Sequence, residues 1–368
     1  MAVLTEEQAM LRDAAREWVK DRAPVAAYRR VRDAGSGFDP ALYAEVARMG
    51  WAAALIPAEQ GGAGVGMVGI GVVLEEMGRT LAASPLLTSG VIGASAVMLG
   101  GSAAQQAAWL PEIAEGRALV ALALEEGPHH APEALAMTAE RDSDGWVLRG
   151  EKRFVLEGPS ATVFVVAALL EGAPALFLVS ADAAGLHVEA LRQADGRGVA
   201  NLSFDGVLAE PLEGGSRAGQ ALLYAVLDRA RAAVSAEMLG MMTQAFETTL
   251  EYLKTRVQFG QTLGSFQALQ HRAAEIFTEV ELTRSVVEAA LAAIDAGAAD
   301  APALVALAKW RAGETLHLAT RQMIQLHGGI GMTDEHDAGL YIKRAQTLET
   351  AFGAARYHKE RFGRLIGV

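Results

Sequence analysis

A mainly α-helical chain with a small β domain at its centre is the fold class that this sequence predicts. Three observations carry it. Up to about residue 117, apolar residues recur at intervals of three and four, the period of an amphipathic helix. From 118 to 214 the chain breaks into short β-rich runs separated by Gly, Asp, Ser and Pro. From 215 to 368 the helical interval returns. The expected order is a helical domain over 1–117, a β-barrel or sandwich over 118–214, and a helical bundle over 215–368. A chain of 368 residues has ample core for this division.

The elements follow in order. Thr5 with acidic residues behind it is an N-cap, and Leu4, Met10, Leu11, Ala14 and Trp18 form one apolar stripe. A second helix is expected over Pro40–Met49, closed by Gly50. Trp51–Met67 is a turn-rich crossing with Gly61, Gly62 and Gly64. Helical runs over Gly69–Leu81 and Leu87–Leu99 follow, and LPEIAEG at Leu110–Gly116 ends the region. Its charged residues have the spacing of solvated helix faces. Seven β runs come next: ALVALALEE, WVLRG, KRFVL, TVFVVAA, ALFLV, LHVEAL and VANLSFD. Beyond them Leu223, Leu227, Ala230, Val234, Met238, Met241 and Ala245 mark the seam of one long bundle helix ending near RVQFG. Three further helices are expected over Gln267–Ala296, Ala301–His327 and about 338–348.

Composition removes several function classes. The 32 basic and 44 acidic residues leave a net charge of −12, which argues against a nucleic-acid surface. The absence of cysteine excludes disulfides, zinc–thiolate sites and thiol nucleophiles. No metal site is expected. The capped first helix is not a signal peptide, and apolar runs such as Val163–Leu170 are too short to span a bilayer. The expectation is a cytoplasmic protein.

The stretch with most functional content is Met323–Gly353, which turns through Gly328, Gly329 and Gly331. Glycines let backbone N–H groups approach an anionic ligand closely. Together with YLKTRVQFGQTLGSFQALQHRAAEI, which holds RVQFG at Arg256–Gly260 and is followed about fifty residues on by QLHGGIGMTDEH, it resembles the acyl-CoA dehydrogenase family. LPEIAEG, ALALEEG and GWVLRGEKRFVLEG fall where that family has counterparts, so the resemblance runs from end to end. It implies a helical N-terminal domain, a β domain, a C-terminal four-helix bundle and FAD as cofactor. By that resemblance Arg256 neutralises the FAD pyrophosphate of a neighbouring subunit, a task suited to a planar, permanently charged donor. Phe259 and Gln267 would contact the same cofactor, and Gln325, Gly328 and Gly329 would face its adenosine side. Phe154 matches the flavin-stacking aromatic; barrel core is the other reading of that residue. The partners implied are an acyl-CoA substrate, an electron-transfer partner, and a homo- or hetero-oligomer (dimer or tetramer) with another chain of this kind.

The family reaction removes an α-proton from an acyl thioester while hydride leaves the β-carbon for the flavin. It needs a carboxylate base and donors on the thioester carbonyl. The usual base position falls on Phe352, next to Gly353, which matches the family glycine, and the family's alternative base position falls on Ala230. Neither is a carboxylate. The hydroxyl residues that usually bond the flavin ring fall on Leu124 and Leu156, where only main-chain N–H groups can serve. The usual acidic–Pro pair reads Glu125-Glu126, followed by GPHHAP. Two carboxylates are candidate replacement bases. Glu237 lies seven residues after Ala230, about 10.5 Å along the helix axis; its other reading is a partner for a buried Arg. Glu349 lies one turn before Phe352; its other reading is a solvated face. His336 and Asp337 are expected to shape the loop.

Three functions remain open at this point: an acyl-CoA dehydrogenase with a displaced base, a base-less subunit of a heteromeric acyl-CoA dehydrogenase, and a flavin-binding scaffold. Some bacterial branches of the family, including those acting on steroid side chains, pair a catalytic chain with a degenerate one. Loss of both carboxylates with Arg256 retained fits that pattern.

Overall fold

The computed structural model describes residues 4–143, 145–215 and 217–368. Six helices come first: α1 (Glu6–Asp21), α2 (Val25–Ala34), α3 (Pro40–Arg48), α4 (Gly66–Arg79), α5 (Ala94–Gly100) and α6 (Ala103–Ala114). Thr5 caps α1 in a reciprocal box with Gln8, and Asp39 caps α3. The expected helix over Leu87–Leu99 divides into a π-helical stretch, Leu86–Gly93, and α5.

Seven strands follow: β1 (Val120–Ala123), β2 (Thr138–Asp142), β3 (Gly145–Leu156), β4 (Val163–Leu170), β5 (Ala173–Ser180), β6 (Leu186–Arg192) and β7 (Gly198–Pro211). The number equals that expected, but the membership does not. WVLRG and KRFVL are one strand: the pairing shifts register between Leu148 and Arg149, and Gly150 (φ +139°) then carries the chain on without a break. The strand that was not foreseen is β2. It exposes four of its five residues and so offers no apolar alternation to read. Of the two expected forms, the barrel is the one found: pairing runs β4–β2–β3–β7–β5 and returns from β5 to β4. Leu148, Val155, Phe164, Phe177, Leu202, Phe204 and Val207 fill it.

The helical half comprises α7 (Gly219–Thr255), a two-residue-strand hairpin (β8, Val257–Gln258; β9, Gln261–Thr262), α8 (Gln267–Asp295), α9 (Ala301–His327), α10 (Ala338–Thr350) and α11 (Ala355–Ile366). Every member of the anticipated α7 seam is buried. Asp300 and Pro302 start α9, and Gly328, whose φ of +65° and ψ of −138° suit only glycine, ends it. The fold is thus mainly α with a central β region and a C-terminal helical bundle.

By contacts the chain divides into two compact units. One holds the N-terminal stretch through Arg29 with Met67–Ala82 and Arg231–Val368; the other holds Arg30–Gly66 and Ala83–Ala230. Within the first, α4 meets α7 through glycines. A Cβ on Gly78 would stand 2.1 Å from the Glu237 carbonyl oxygen, and one on Gly240 would stand 1.8 Å from that of Glu75. The Asp295 carboxylate accepts from the N–H groups of Met67 and Val68 at 2.7 and 2.9 Å, capping the start of α4 from the end of α8. Because backbone opposes backbone at the glycine crossing, Gly240→Ala should destabilise the fold by about 1–3 kcal/mol. A lowered urea midpoint with an unchanged slope would bear this out, and an unchanged midpoint would refute it.

Candidate functional site

In the unit that contains the barrel, Leu124, Phe154 and Leu156 fall in one neighbourhood. The Arg153 N–H donates to the Glu125 carbonyl at 2.7 Å, and the Lys152 ammonium donates to the Leu124 carbonyl at 3.1 Å. Between Lys152 and Val155 the pairing with β7 slips, and Phe154 sits at the slip with φ +53°. Its ring is 49% exposed, so barrel core, the second reading of Phe154, is overturned. Lys152 is fully buried and its ammonium also meets the Glu126 carboxylate at 2.6 Å. That carboxylate accepts from the N–H groups of Ala136 and Met137 as well. Burial pushes the Glu126 carboxyl upward, but Lys152 and the two N–H groups outweigh it and hold the pKa below the usual range. The GPHHAP segment is therefore fastened at its two ends, with His130 Nδ1 2.5 Å from the Glu125 carboxylate.

In the other unit the two motifs that carried the sequence reading stand side by side. Tyr252, one turn before Arg256, stacks on His327 at 4.3 Å and donates its hydroxyl to the His327 carbonyl at 3.4 Å. Arg256 is exposed just past the end of α7, and its guanidinium has no hydrogen bond or ion pair among the described residues. Phe259 and Gly260, at φ +52° and +82°, make the tight turn of the hairpin and leave Phe259 90% exposed. Gln267 opens α8 and is exposed, as are Gln325, Gly328 and Gly329. A Cβ on either glycine would meet nothing within 4 Å, so the backbone there is open to a large ligand. A free guanidinium, bare glycines and an exposed ring fit an elongated anionic aromatic cofactor.

The base positions are a different environment. Ala230 is fully buried on the α7 seam. Phe352 follows α10 with φ +55°, and Gly353 has φ +106°. The Phe352 carbonyl accepts from Arg231 Nε at 3.2 Å and His358 Nε2 at 2.9 Å. The Phe352 N–H has no acceptor among the described residues. Lys309, fully buried on α9, donates to the carbonyls of Leu348, Glu349 and Gly353 at 3.0, 3.0 and 3.1 Å. Its pKa is pulled down to about 7 by burial; Glu349 opposes the fall and Arg231 adds to it. Burial, Arg231 and Lys309 also push His358 down, so its ring is neutral with the proton on Nε2.

Neither candidate base is an unpaired carboxylate. Glu237 is buried and ion-paired with Arg344 of α10, with Nη2–Oε1 at 2.7 Å and Nε–Oε1 at 3.0 Å. Glu349 is half-buried, with His317 Nδ1 3.3 Å from its carboxylate, so a fully solvated face is not what the structure gives it. Asp337 and the Asp334 carbonyl receive Arg29, and His336 Nδ1 accepts the Ala338 N–H. Sequence reasoning missed Arg231, Lys309, His358 and Lys152. A cation or imidazole on an otherwise apolar helix or strand face was the available signal.

Comparison with known proteins identifies the class. The chain matches the acyl-CoA dehydrogenase N-terminal domain over residues 5–117, the middle domain over 125–207 and the C-terminal domain over 217–366. It belongs to the acyl-CoA dehydrogenase family, a family of oxidoreductases whose cofactor is FAD. It is 33% identical over 341 residues to the acyl-CoA dehydrogenase IpdE2 of Mycobacterium tuberculosis, covering 92% of this chain and 91% of that one. The structure called Tcur3481-Tcur3483 steroid ACAD, G363A variant, is 35% identical, with a TM-score of 0.91 and 98% of each chain covered. The ChsE4-ChsE5 complex of M. tuberculosis is 27% identical, with a TM-score of 0.91 and 99% and 98% covered. Among the described residues no helix is long and apolar enough to cross a membrane.

Two measurements follow from this geometry. Removing one partner of the buried pair, as in Arg344→Met, should cost about 3–5 kcal/mol in urea unfolding, and Glu237→Gln in the same chain should restore much of it. Failure of the second change to restore stability would refute the pairing. For Lys309, the folded value near 7 lies below the ordinary 10.5, so between these values the unfolded chain binds the extra proton. Stability should therefore rise from pH 7 to 9, and Lys309→Met should flatten that rise.

Proposed function

We propose that this chain is an FAD-binding, base-less subunit of a heteromeric acyl-CoA dehydrogenase. The observation that carries the reading is the absence of a carboxylate at both base positions, with Phe352 and Ala230 standing there and Glu237 held by Arg344. Similarity to the two-chain steroid dehydrogenase and to the ChsE4-ChsE5 complex supports it. A steroid side-chain CoA thioester is accordingly the first substrate to try. FAD supplies a hydride acceptor when bound. Arg256 would neutralise the pyrophosphate of a flavin shared with the partner chain; Phe259, Gln267, Gln325, Gly328 and Gly329 would line its approach. Phe154 would lie against the flavin ring, with main-chain N–H groups at Leu124 and Leu156 bonding its edge. The Phe352 N–H, beside Gly353, would donate to a thioester carbonyl, an interaction that does not require the missing carboxylate. The domain limits expected at 117 and 214 are carried into this reading.

A specific observation keeps the second reading testable: Glu349 lies one turn from Phe352 with His317 beside it, so a displaced base remains a candidate there. The chain is purified alone and with its partner, and the flavin spectrum is followed anaerobically after acyl-CoA is added. The expected result is no bleaching by the chain alone, unaltered by Glu237→Gln or Glu349→Gln, and bleaching by the complex. Rapid bleaching by the chain alone, abolished by either change, would replace this reading with the displaced-base dehydrogenase. Arg256→Ala should lower flavin occupancy of the complex at least about tenfold, because the cofactor's charge then lacks its guanidinium. Full occupancy in that variant would refute the assigned role.

A further inference from the structure

We propose that Lys309 is the positioning residue of the Phe352 turn, clamping the main chain on both sides of Phe352 so that its N–H stays available to a thioester carbonyl. The inference rests on the reading that an acyl thioester binds at this turn, and deepens it.

Phe352 is in the left-handed region without being glycine, a conformation that persists only where its surroundings impose it. Those surroundings are the cations beneath it. The Lys309 ammonium has three N–H donors and three carbonyl acceptors. Two of these, on Leu348 and Glu349, belong to the last turn of α10, where carbonyls lack helical partners. The third belongs to Gly353, past the strained residue. A helix cap needs only the first two; the third bond closes the loop around Phe352. Arg231 and His358 fix the Phe352 carbonyl from the other side. With these carbonyls committed, the turn cannot rotate to give the Phe352 N–H an internal acceptor, and none is found among the described residues.

A buried ammonium is an expensive way to cap a helix, since burial disfavours its charge. Its charge has a second use. The charged groups facing it are Arg231 on α7 and Glu349 on α10, and the neutral His358 of α11 lies close enough to feel its charge. With Lys309 protonated, it and Arg231 outnumber the single carboxylate, which gives the turn a positive potential beside the carbonyl oxygen of a bound thioester. A neutral residue of the same size could fill the space but could not supply this field.

The test uses the full chain as purified, with phenylalanine labelled by 13C and 15N. Carbonyl-13C-labelled octenoyl-CoA, which has no saturated α,β-bond left to oxidise, is the probe. In the unliganded chain the Phe352 carbon shifts should report the left-handed conformation, and Lys309→Met should move them to values for an ordinary extended or helical residue. In the complex, infrared difference spectra should show the thioester carbonyl band lowered by hydrogen bonding. Lys309→Met should return it toward its position in water and weaken binding about tenfold, the equivalent of one hydrogen bond. Lys309→Gln, which keeps two donors, should lie between and serves if the methionine variant does not fold. Unchanged Phe352 shifts in a folded Lys309 variant would overturn the inference. So would an unchanged carbonyl band. A wild-type chain with the left-handed Phe352 signature but no lowered carbonyl band would instead overturn thioester binding at this turn.

Discussion

A lysine with no contact to water holds the end of α10 and the turn after it together. The ammonium of Lys309 reaches from α9 to three carbonyls that the helix α10 and the turn after it leave without partners. Hydrogen bonds to a charged donor are roughly twice as strong as neutral ones, and a buried one is not diluted by solvent. That strength lets a phenylalanine occupy a left-handed backbone conformation and lets α11 start three residues later. Arg231 completes the arrangement from α7, so the position of four helices depends on charges that never reach the surface.

The same economy is visible in the ion pairs. Glu237 of α7 and Arg344 of α10 neutralise each other inside the bundle, while Glu75 of α4 meets Arg284 of α8 at 2.6 Å. A third pair of helices, α4 and α7, is brought backbone to backbone by small residues at Gly78 and Gly240. Polar groups then specify which helix lies against which, a task that an Ala-rich surface performs poorly because its side chains offer little shape to interlock.

Much of this fold could be read from the chain, for identifiable reasons. The α7 seam was legible because its apolar interval continues for six turns, and the limits of α9 because Pro302 and Gly328 punctuate them. The strand β2 was not legible, since four of five residues face water and pattern carries no message there. Around the candidate site the glycine turn and Arg256 stood out as local motifs. The cations under Phe352 did not. Lys309 sits among alanines where a lysine ordinarily extends into solvent, and only the approach of α10 and α11 makes it interior. Its significance is tertiary, held in residues separated by about forty positions.

The hairpin after α7 has a consequence for the behaviour of the chain in solution. Its two-residue turn holds a benzyl group 90% exposed, and Val257 and Met332 also present apolar surface to water. Covering one such ring is favourable by about 2–3 kcal/mol, and salt does not screen that gain as it screens charge. At low ionic strength the net charge of −12 keeps copies apart. In concentrated salt the repulsion fades while the attraction remains, so the tip of this hairpin is where an uncovered chain would begin to adhere to its neighbours.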